Sequence, residues 1–201
     1  MANRLEPAVR FLTPASYRTT RWKNGLGETA EIAREPTGIE LTDFDWRVSY
    51  AAVIADGMFS EYPGIERTIM VFEGNGMTLA LGHGGSGASK ILSPFVPFTY
   101  PGETPVHGQL LDGPVLDLNL MCRRDACSGT MRVVETPAQW SEIDSAVTTV
   151  IFAMSGPIEV SAGDDAAILA PQGSVILHGA GVFDVRGSPE AKFTVLRIAP
   201  K

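Results

Sequence analysis

Two segments of the chain place polar side chains at alternate positions among apolar ones. In WRVSYAAVI, Arg47 and Ser49 occupy such positions. In VLDLNLM, Asp117, Asn119 and Met121 alternate with leucines. Successive side chains of a strand point to opposite faces, so each polar set shares one face. That face either meets solvent, as is usual in a two-sheet protein, or lines a cup. In a cup, the cation, carboxylate and amides would orient a small polar molecule.

The segment RWKNGLGETAEIA carries a turn with aromatic and polar side chains. Asn24 and Gly25 form a strong hairpin signal because both tolerate positive φ. The simplest interpretation is a two-residue turn with Trp22 packed on the core. A second glycine, Gly27, suggests close backbone approach to something else. In that alternative, Trp22, Lys23 and Asn24 form one wall of a ligand site and offer donors to a carboxylate or formyl oxygen.

A second loop carries further candidate side chains in DGMFSEYPGIER. Its DG and PG dipeptides are turn signals and leave a tight loop between them. One interpretation is an ordered surface loop stabilised by its aromatic residues. The functional interpretation is a rim loop that presents Ser60 and Arg67 to the cup.

Metal-ligating and nucleophilic patterns are weak in this sequence. The three histidines, His83, His107 and His178, are far apart and form no HxH motif, so neither a metal nor another cofactor is expected. There is no GxSxG or GxxxxGK[ST] motif. Cys122 and Cys127 form no disulfide framework or zinc motif and have no local base. They predict two reduced thiols in a cytoplasmic protein.

Short apolar runs between Gly and Pro punctuation predict the elements that position these residues, an all-β sandwich or barrel. The predicted strands are Trp46–Ile54, Thr68–Phe72, Met77–Leu81, Val115–Met121, Val147–Met154, Ile158–Ser161, Ser174–Leu177, Val182–Val185 and Lys192–Ile198. Helical periodicity is scarce. One or two short helices are expected, at Pro137–Ile143 and Pro14–Thr19.

A weak internal repeat organises these strands. Thr68–Leu81 and Thr149–Ala162 both consist of a strand, a glycine turn and a second strand. Two such copies predict a bicupin, in which two jelly-roll barrels pack together. We expect one compact unit over residues 1–201, with cupin-like halves at about 20–125 and 126–201 that share strands.

Composition narrows the classes of partner. The net charge is −7, and clustered Lys and Arg are absent, which argues against nucleic acid or an anionic membrane. No run of 18 apolar residues predicts a membrane span. Residues 1–20 lack the apolar core of a signal peptide. These features favour a cytoplasmic protein with a small-molecule ligand.

Three segments together resemble the HutD/Ves family of bicupin proteins linked to histidine utilisation. They are RWKNGLGETAEIA, FDWRVSYAAVIADGMFSEYPGIERTIMVFEGNGMTL and GPVLDLNLMCRR, and the resemblance is strong from Phe11 to Arg124. It implies a protein that binds a small carboxylate intermediate of histidine breakdown, such as urocanate or formylglutamate, and tunes the pathway. The ligand-binding residues predicted by motif and alternation are Trp22, Lys23, Asn24, Arg47, Ser49, Ser60, Arg67, Asp117, Asn119 and Met121.

Some points stay open at this level. Leu26 stands where the family usually has a glycine, which leaves the ligand undetermined. A metal-independent isomerase or hydrolase acting on a related acid is the alternative function, with Asp117 as the strongest acid or base. Exposed strand edges could pair in a homodimer, but no segment identifies an interface.

Overall fold

The computed structural model describes residues 9–22, 25, 27–37, 43–83, 87–142 and 144–201. Strands dominate this part of the chain. The first eleven are β1 (Val9–Leu12), β2 (Arg18–Arg21), β3 (Gly27–Glu35), β4 (Trp46–Val53), β5 (Gly57–Met58), β6 (Ile65–Glu73), β7 (Met77–Leu81), β8 (Ser89–Leu92), β9 (Phe98–Pro101), β10 (Val106–Leu110) and β11 (Val115–Arg123). The remaining strands are β12 (Cys127–Glu135), β13 (Ala138–Glu142), β14 (Thr148–Ser155), β15 (Ile158–Ala162), β16 (Asp165–Leu169), β17 (Ser174–His178), β18 (Gly181–Gly187) and β19 (Lys192–Pro200).

The chain divides into two compact units. Unit 1 comprises residues 1–17 and 129–200, and unit 2 comprises residues 18–128 and 201. The predominance of strands confirms the all-β class, and a short 3-10 helix forms at Pro14–Ser16. No helix in the described part of the chain is long and apolar enough to cross a membrane.

Unit 2 is built from two antiparallel sheets. The six-stranded sheet has the order β2-β3-β4-β11-β6-β9, and the four-stranded sheet has the order β5-β10-β7-β8. Apolar residues from both sheets form one buried core, including Ile69 and Val71 of β6 and Leu79 of β7. This pair of facing sheets is the arrangement of a jelly roll.

Unit 1 repeats that plan with its own core. Its five-stranded sheet has the order β1-β17-β14-β19-β12, and its four-stranded sheet has the order β13-β18-β15-β16. Ile151, Val175 and Phe193 of the larger sheet pack with Ile158 and Phe183 of the smaller one. The first strand of the chain, β1, joins this sheet by pairing with β17.

The internal repeat seen in the sequence corresponds to equivalent strand pairs. β6 and β14 each lie in the larger sheet of their unit, and the strands that follow, β7 and β15, lie in the smaller sheet. Glycines with positive φ, Gly74 and Gly76 in one copy and Gly156 in the other, make the connecting turns.

One predicted helix is wrong. Residues 138–142 of the segment Pro137–Ile143 form β13, which pairs with β18 from Ala138 to Glu142. Trp140 stacks on Phe183 with ring centroids 6.4 Å apart. The segment is too short for helical and strand periodicity to be told apart, and packing of the half-buried Trp140 against the core favours the strand. The other predicted helix is confirmed only at Pro14–Ser16.

Candidate functional site

The polar strand residues of unit 2 line a pocket of about 530 Å³. Its residues come mainly from β2, β3, β4, β6 and β11, and from the loop that follows β5. The lining consists of Thr20, Arg21, Trp22, Thr29, Arg47, Ser49, Ala51, Met58, Phe59, Ser60, Tyr62, Arg67, Asp117, Asn119 and Met121. A pocket of this size suits a small molecule.

Strand register aligns the charged residues of the pocket. Residues opposite each other in an antiparallel ladder share a face. A row of such residues crosses the six-stranded sheet in the order Arg34, Arg47, Met121, Arg67 and Tyr100. Arg47 and Arg67 therefore flank Met121 of the central strand, with about 10 Å between their strands.

The next two rows supply the other polar groups. Ser49 lies opposite Asn119, and Ala51 lies opposite Asp117. All three polar side chains of β4 and β11 in these rows are buried. Leu118 and Leu120 are buried as well, so both faces of β11 are covered and its polar face does not meet bulk solvent.

Asp117, Asn119 and Arg67 form a hydrogen-bonded chain. Arg67 donates from Nε and Nη2 to Asn119 Oδ1, at 2.9 and 2.7 Å. Asn119 Nδ2 in turn donates to Asp117 Oδ1. Burial raises the pKa of Asp117 to about 6, although the charge of Arg67 and the hydrogen bond from Asn119 both act to lower it. Asp117 can therefore change its protonation state near neutral pH.

Arg47 is held by a carboxylate that it shares. Its Nε lies 2.9 Å from Glu31 Oε2, while Arg34 Nε lies 3.4 Å from Glu31 Oε1. The contact between Arg47 and Glu31 is an ion pair that lacks hydrogen-bond alignment. Because one carboxylate serves two buried guanidiniums, the positive charge of Arg47 is only partly compensated by Glu31.

Aromatic rings contact Arg67. The guanidinium carbon of Arg67 lies 5.0 Å from the ring centroid of Phe59 and 5.6 Å from that of Tyr100. Phe59 sits against Gly108, where an added Cβ would lie 2.8 Å from the ring. These contacts fix the guanidinium plane and are typical cation–π geometry.

The first predicted loop closes one side of the pocket. Trp22 N donates to Gly27 O and Gly25 N donates to Trp22 O, and Trp22 Nε1 donates to Thr29 Oγ1 at 2.8 Å. A Cβ on Gly27 would lie 2.4 Å from Ala52 O and 3.1 Å from the Trp22 ring. The close approach expected at Gly27 is thus made by the chain itself.

The structure brings together eight of the ten residues predicted for the site. Those in the pocket lining are Trp22, Arg47, Ser49, Ser60, Arg67, Asp117, Asn119 and Met121. Lys23 and Asn24, and the departure at Leu26, lie outside the described residues. Whether any of these residues binds a ligand stays a prediction.

Sequence reasoning missed several partners of Arg47 and Arg67. Glu31 and Arg34 lie on β3, and Tyr100 lies on β9, neither of which was predicted as a polar pocket strand. Among the described residues, no group of three or more His, Cys, Asp or Glu side chains could hold a metal ion. Cys122 and Cys127 are both buried, unpaired thiols.

Comparisons with known proteins agree on one family. A family model described as HutD matches residues 14–194. A protein named Ves from Cronobacter sakazakii is 40% identical over 128 residues, which cover 63% of this chain and 67% of that protein. An uncharacterized 21.2 kDa protein of the hutC 3′ region in Pseudomonas putida is 35% identical over 160 residues, covering 76% and 77% of the two chains.

Solved structures show the same fold. HutD from Pseudomonas fluorescens has a TM-score of 0.81 at 25% identity, covering 96% of this chain and 100% of that one. A conserved protein of unknown function from Pseudomonas aeruginosa has a TM-score of 0.85 at 29% identity, covering 96% and 99%. A cupin 2 conserved barrel domain protein from Leptotrichia buccalis has a TM-score of 0.57 at 11% identity, covering 87% and 89%. The predicted cupin fold is confirmed.

Proposed function

We propose that this chain, which belongs to the HutD family, binds a small carboxylate intermediate of histidine catabolism and thereby modulates histidine utilisation. The ligand is an acid of the urocanate or formylglutamate type. The name of the family and the hutC 3′ location of the Pseudomonas putida relative support the link to histidine utilisation. A cytoplasmic setting belongs to the proposal and is supported by the reduced thiols of Cys122 and Cys127.

The observation that carries this proposal is the excess of positive charge in the pocket. The described lining residues include three arginines, Arg21, Arg47 and Arg67, and one carboxylate, Asp117. Glu31 compensates Arg47 only in part, because it also contacts Arg34. A carboxylate ligand would supply the missing negative charge, and a guanidinium can grip it with two hydrogen bonds.

The pocket walls favour a small ligand with a flat or apolar body. Trp22, Phe59 and Tyr62 provide rings, and Met58 and Met121 provide flexible apolar surface. An unsaturated or short acyl chain can pack there while its carboxylate meets Arg47.

An enzyme acting on a related acid is the second candidate. Asp117 favours it, because a buried carboxyl whose pKa is raised to about 6 can accept and return a proton near neutral pH. Such an isomerase or hydrolase would work without a metal. We rank it second because Asp117 is the one titratable carboxyl among the described lining residues.

The first test is calorimetric titration of the protein with urocanate, formylglutamate, histidine and glutamate, followed by recovery of each compound. Saturable binding of one acid that is recovered unchanged is the expected result. A chemically altered acid would establish the enzyme instead. If none of the four compounds binds at millimolar concentration, the proposed function is wrong.

A pair of arginine variants tests where the acid binds. Arg47→Met removes the guanidinium but keeps much of the apolar side chain, so we expect affinity to fall about 100-fold, the value of a charged hydrogen-bonded contact. Arg186→Met alters an exposed arginine of unit 1 and is the control. Equal affinity in the two variants would place the acid elsewhere.

A further inference from the structure

We propose that Asp117 determines which small carboxylates the pocket accepts, by selecting acids that also carry an N–H hydrogen-bond donor remote from the carboxylate. This inference rests on the proposed function, since it concerns the specificity of the same pocket. The ligand class is then narrower than small acids in general. It contains acids with an amide or heteroaromatic N–H and excludes their oxygen analogues.

Further hydrogen-bond donors to Asp117 would have to come from within the pocket. Its side chain lines the pocket, yet the residue is only 1% exposed. An ionised carboxylate offers about four lone-pair sites. One side-chain hydrogen bond to Asp117, from Asn119 Nδ2, is found among the described residues. A buried carboxylate with so few donors gains from any donor that a ligand brings.

The neighbouring arginine does not meet this need directly. Both hydrogen bonds from Arg67 go to Asn119 Oδ1, which fixes the amide with its nitrogen turned toward Asp117. Asp117 therefore acts as the acceptor at the end of this chain of hydrogen bonds. Because Arg67 donates its hydrogen bonds to Asn119 and not to Asp117, Asp117 keeps acceptor capacity for a ligand.

The groups around Asp117 come from several elements. Arg67 on β6 faces it with a positive charge, and Tyr100 on β9 lies close enough for its hydroxyl to interact electrostatically with Asp117. Tyr62, from the loop before β6, acts electrostatically on Tyr100 and raises its pKa. Arg47 on β4 lies in the same row as Arg67, on the other side of β11, and its partner Glu31 on β3 lies in the row of Ser49 and Asn119. Among these groups, Arg67 is the cation whose charge acts on the pKa of Asp117.

Strand register also sets the distance between the arginines and Asp117, which would bind opposite ends of the ligand. Arg47 and Arg67 lie opposite Met121, four residues along β11 from Asp117. Four residues span roughly 13 Å between Cα atoms in a strand. A carboxylate held by Arg47 is thus several bonds away from a donor that reaches Asp117. This favours an elongated acid with its N–H at the far end.

Two matched pairs of probe acids test this inference. (E)-3-(1H-pyrrol-3-yl)acrylate and its furan-3-yl analogue differ only in N–H against O. The second pair is 4-acetamidobutanoate and 4-acetoxybutanoate. We expect the protein to bind the N–H member of the better-bound pair about tenfold or more tightly, as a hydrogen bond to a charged acceptor allows.

Substitution of Asp117 should remove most of this preference. In Asp117→Asn, the N–H preference should fall to about threefold or less, because the acceptor is now neutral. Asp165→Asn, the same change at an exposed position of unit 1, should keep the full preference. An unchanged preference in Asp117→Asn, or equal affinities in the unsubstituted protein, would overturn the inference.

Proton linkage gives a second readout that needs no variant. Titrations at pH 6 in two buffers of different protonation enthalpy measure the protons exchanged on binding. A ligand N–H lowers the pKa of Asp117, so binding of the pyrrole acid should release protons, and its affinity should rise as the pH rises through 6. Proton uptake with the pyrrole acid would contradict the inference.

The outcomes separate this inference from the proposed function. If no acid binds, both the proposed function and the inferred selectivity are wrong. If the acids bind with no preference for N–H, the pocket still binds carboxylates, and only the assigned role of Asp117 is wrong.

Discussion

Ionisation of the buried Asp117 in the pocket lowers the stability of the fold. Its pKa is raised from 3.8 to about 6 by burial, so the folded protein holds this proton more tightly than the unfolded chain does. Stability is therefore lost as the pH rises from about 4 to 6, and the loss is complete above 6. Such a cost is typical of a functional site.

Asp117→Asn should relieve this cost. The amide oxygen can still accept the hydrogen bond from Asn119, while the buried charge is gone. We expect the free energy of unfolding to rise by about 1–3 kcal/mol at pH 8, and the gain to shrink toward pH 4. Urea unfolding at both pH values measures it. A loss of stability at pH 8 would show that the ionised carboxylate stabilises the fold.

Two buried tyrosines, Tyr17 and Tyr100, differ in the hydrogen bonding of their hydroxyl groups. Tyr17 donates to Gln172 O at 2.7 Å and its hydroxyl lies 2.9 Å from Ser174 Oγ. The buried Tyr100 hydroxyl has no hydrogen-bond partner in the described part of the chain. Tyr17→Phe should lower the free energy of unfolding by about 1–2 kcal/mol, whereas Tyr100→Phe should leave it unchanged or raise it slightly. Thermal unfolding of both variants tests the difference, and equal losses would contradict it.

At the scale of elements, the hairpin between β2 and β3 controls one wall of the pocket. Gly27 begins β3 and lies opposite Val53 of β4, with the Trp22 ring close above it. Since a side chain at this position meets backbone, the glycine is required for strand pairing as well as for the position of Trp22.

Gly27→Ala should disturb both features. Its Cβ would lie 2.4 Å from Ala52 O, so β3 and Trp22 must shift. We expect the free energy of unfolding to fall by about 1–3 kcal/mol, as for other overpacking changes, with a changed Trp fluorescence spectrum. The control is Gly181→Ala, where an added Cβ meets nothing within 4 Å. Similar small losses in both variants would mean that the hairpin adapts.

At the scale of the whole molecule, the pocket and the second core belong to different units. All described lining residues fall within unit 2, residues 18–128. Unit 1 has a separate apolar core and two sheets of its own. The pocket therefore depends on packing within unit 2.

Matched core truncations test this division. Val175 in unit 1 and Val71 in unit 2 are both fully buried, so each Val→Ala change should lower the free energy of unfolding by about 1–3 kcal/mol. Val71 lies opposite Asp117, so only Val71→Ala should also weaken binding of the best probe acid. Calorimetry under conditions where both variants are folded measures the affinities. Equal weakening by Val175→Ala would show that the pocket depends on unit 1.

Much of the fold could be predicted from the sequence because strand periodicity is local. Alternation in WRVSYAAVI and VLDLNLM located β4 and β11 to within two residues and placed Arg47, Ser49, Asp117 and Asn119 on pocket-facing positions. Gly25 and Gly64, the glycines of two predicted turn dipeptides, have positive φ, which is a property of single residues, whereas the turn predicted at Asp56 and Gly57 is wrong because Gly57 begins β5. The segment that became β13 was mistaken for a helix because five residues carry too little periodicity.

The sequence by itself determined which side chains share a face in the regularly alternating strands β4 and β11. Only the tertiary structure decided which strands lie side by side, and so which side chains meet across them. A bulge in β3 between Glu31 and Ala33 places Glu31 and Arg34 on the same face although they are three residues apart. Strict alternation would separate them. Tyr100 reaches Arg67 because β9 pairs with β6, which is a matter of long-range register that no local pattern encodes.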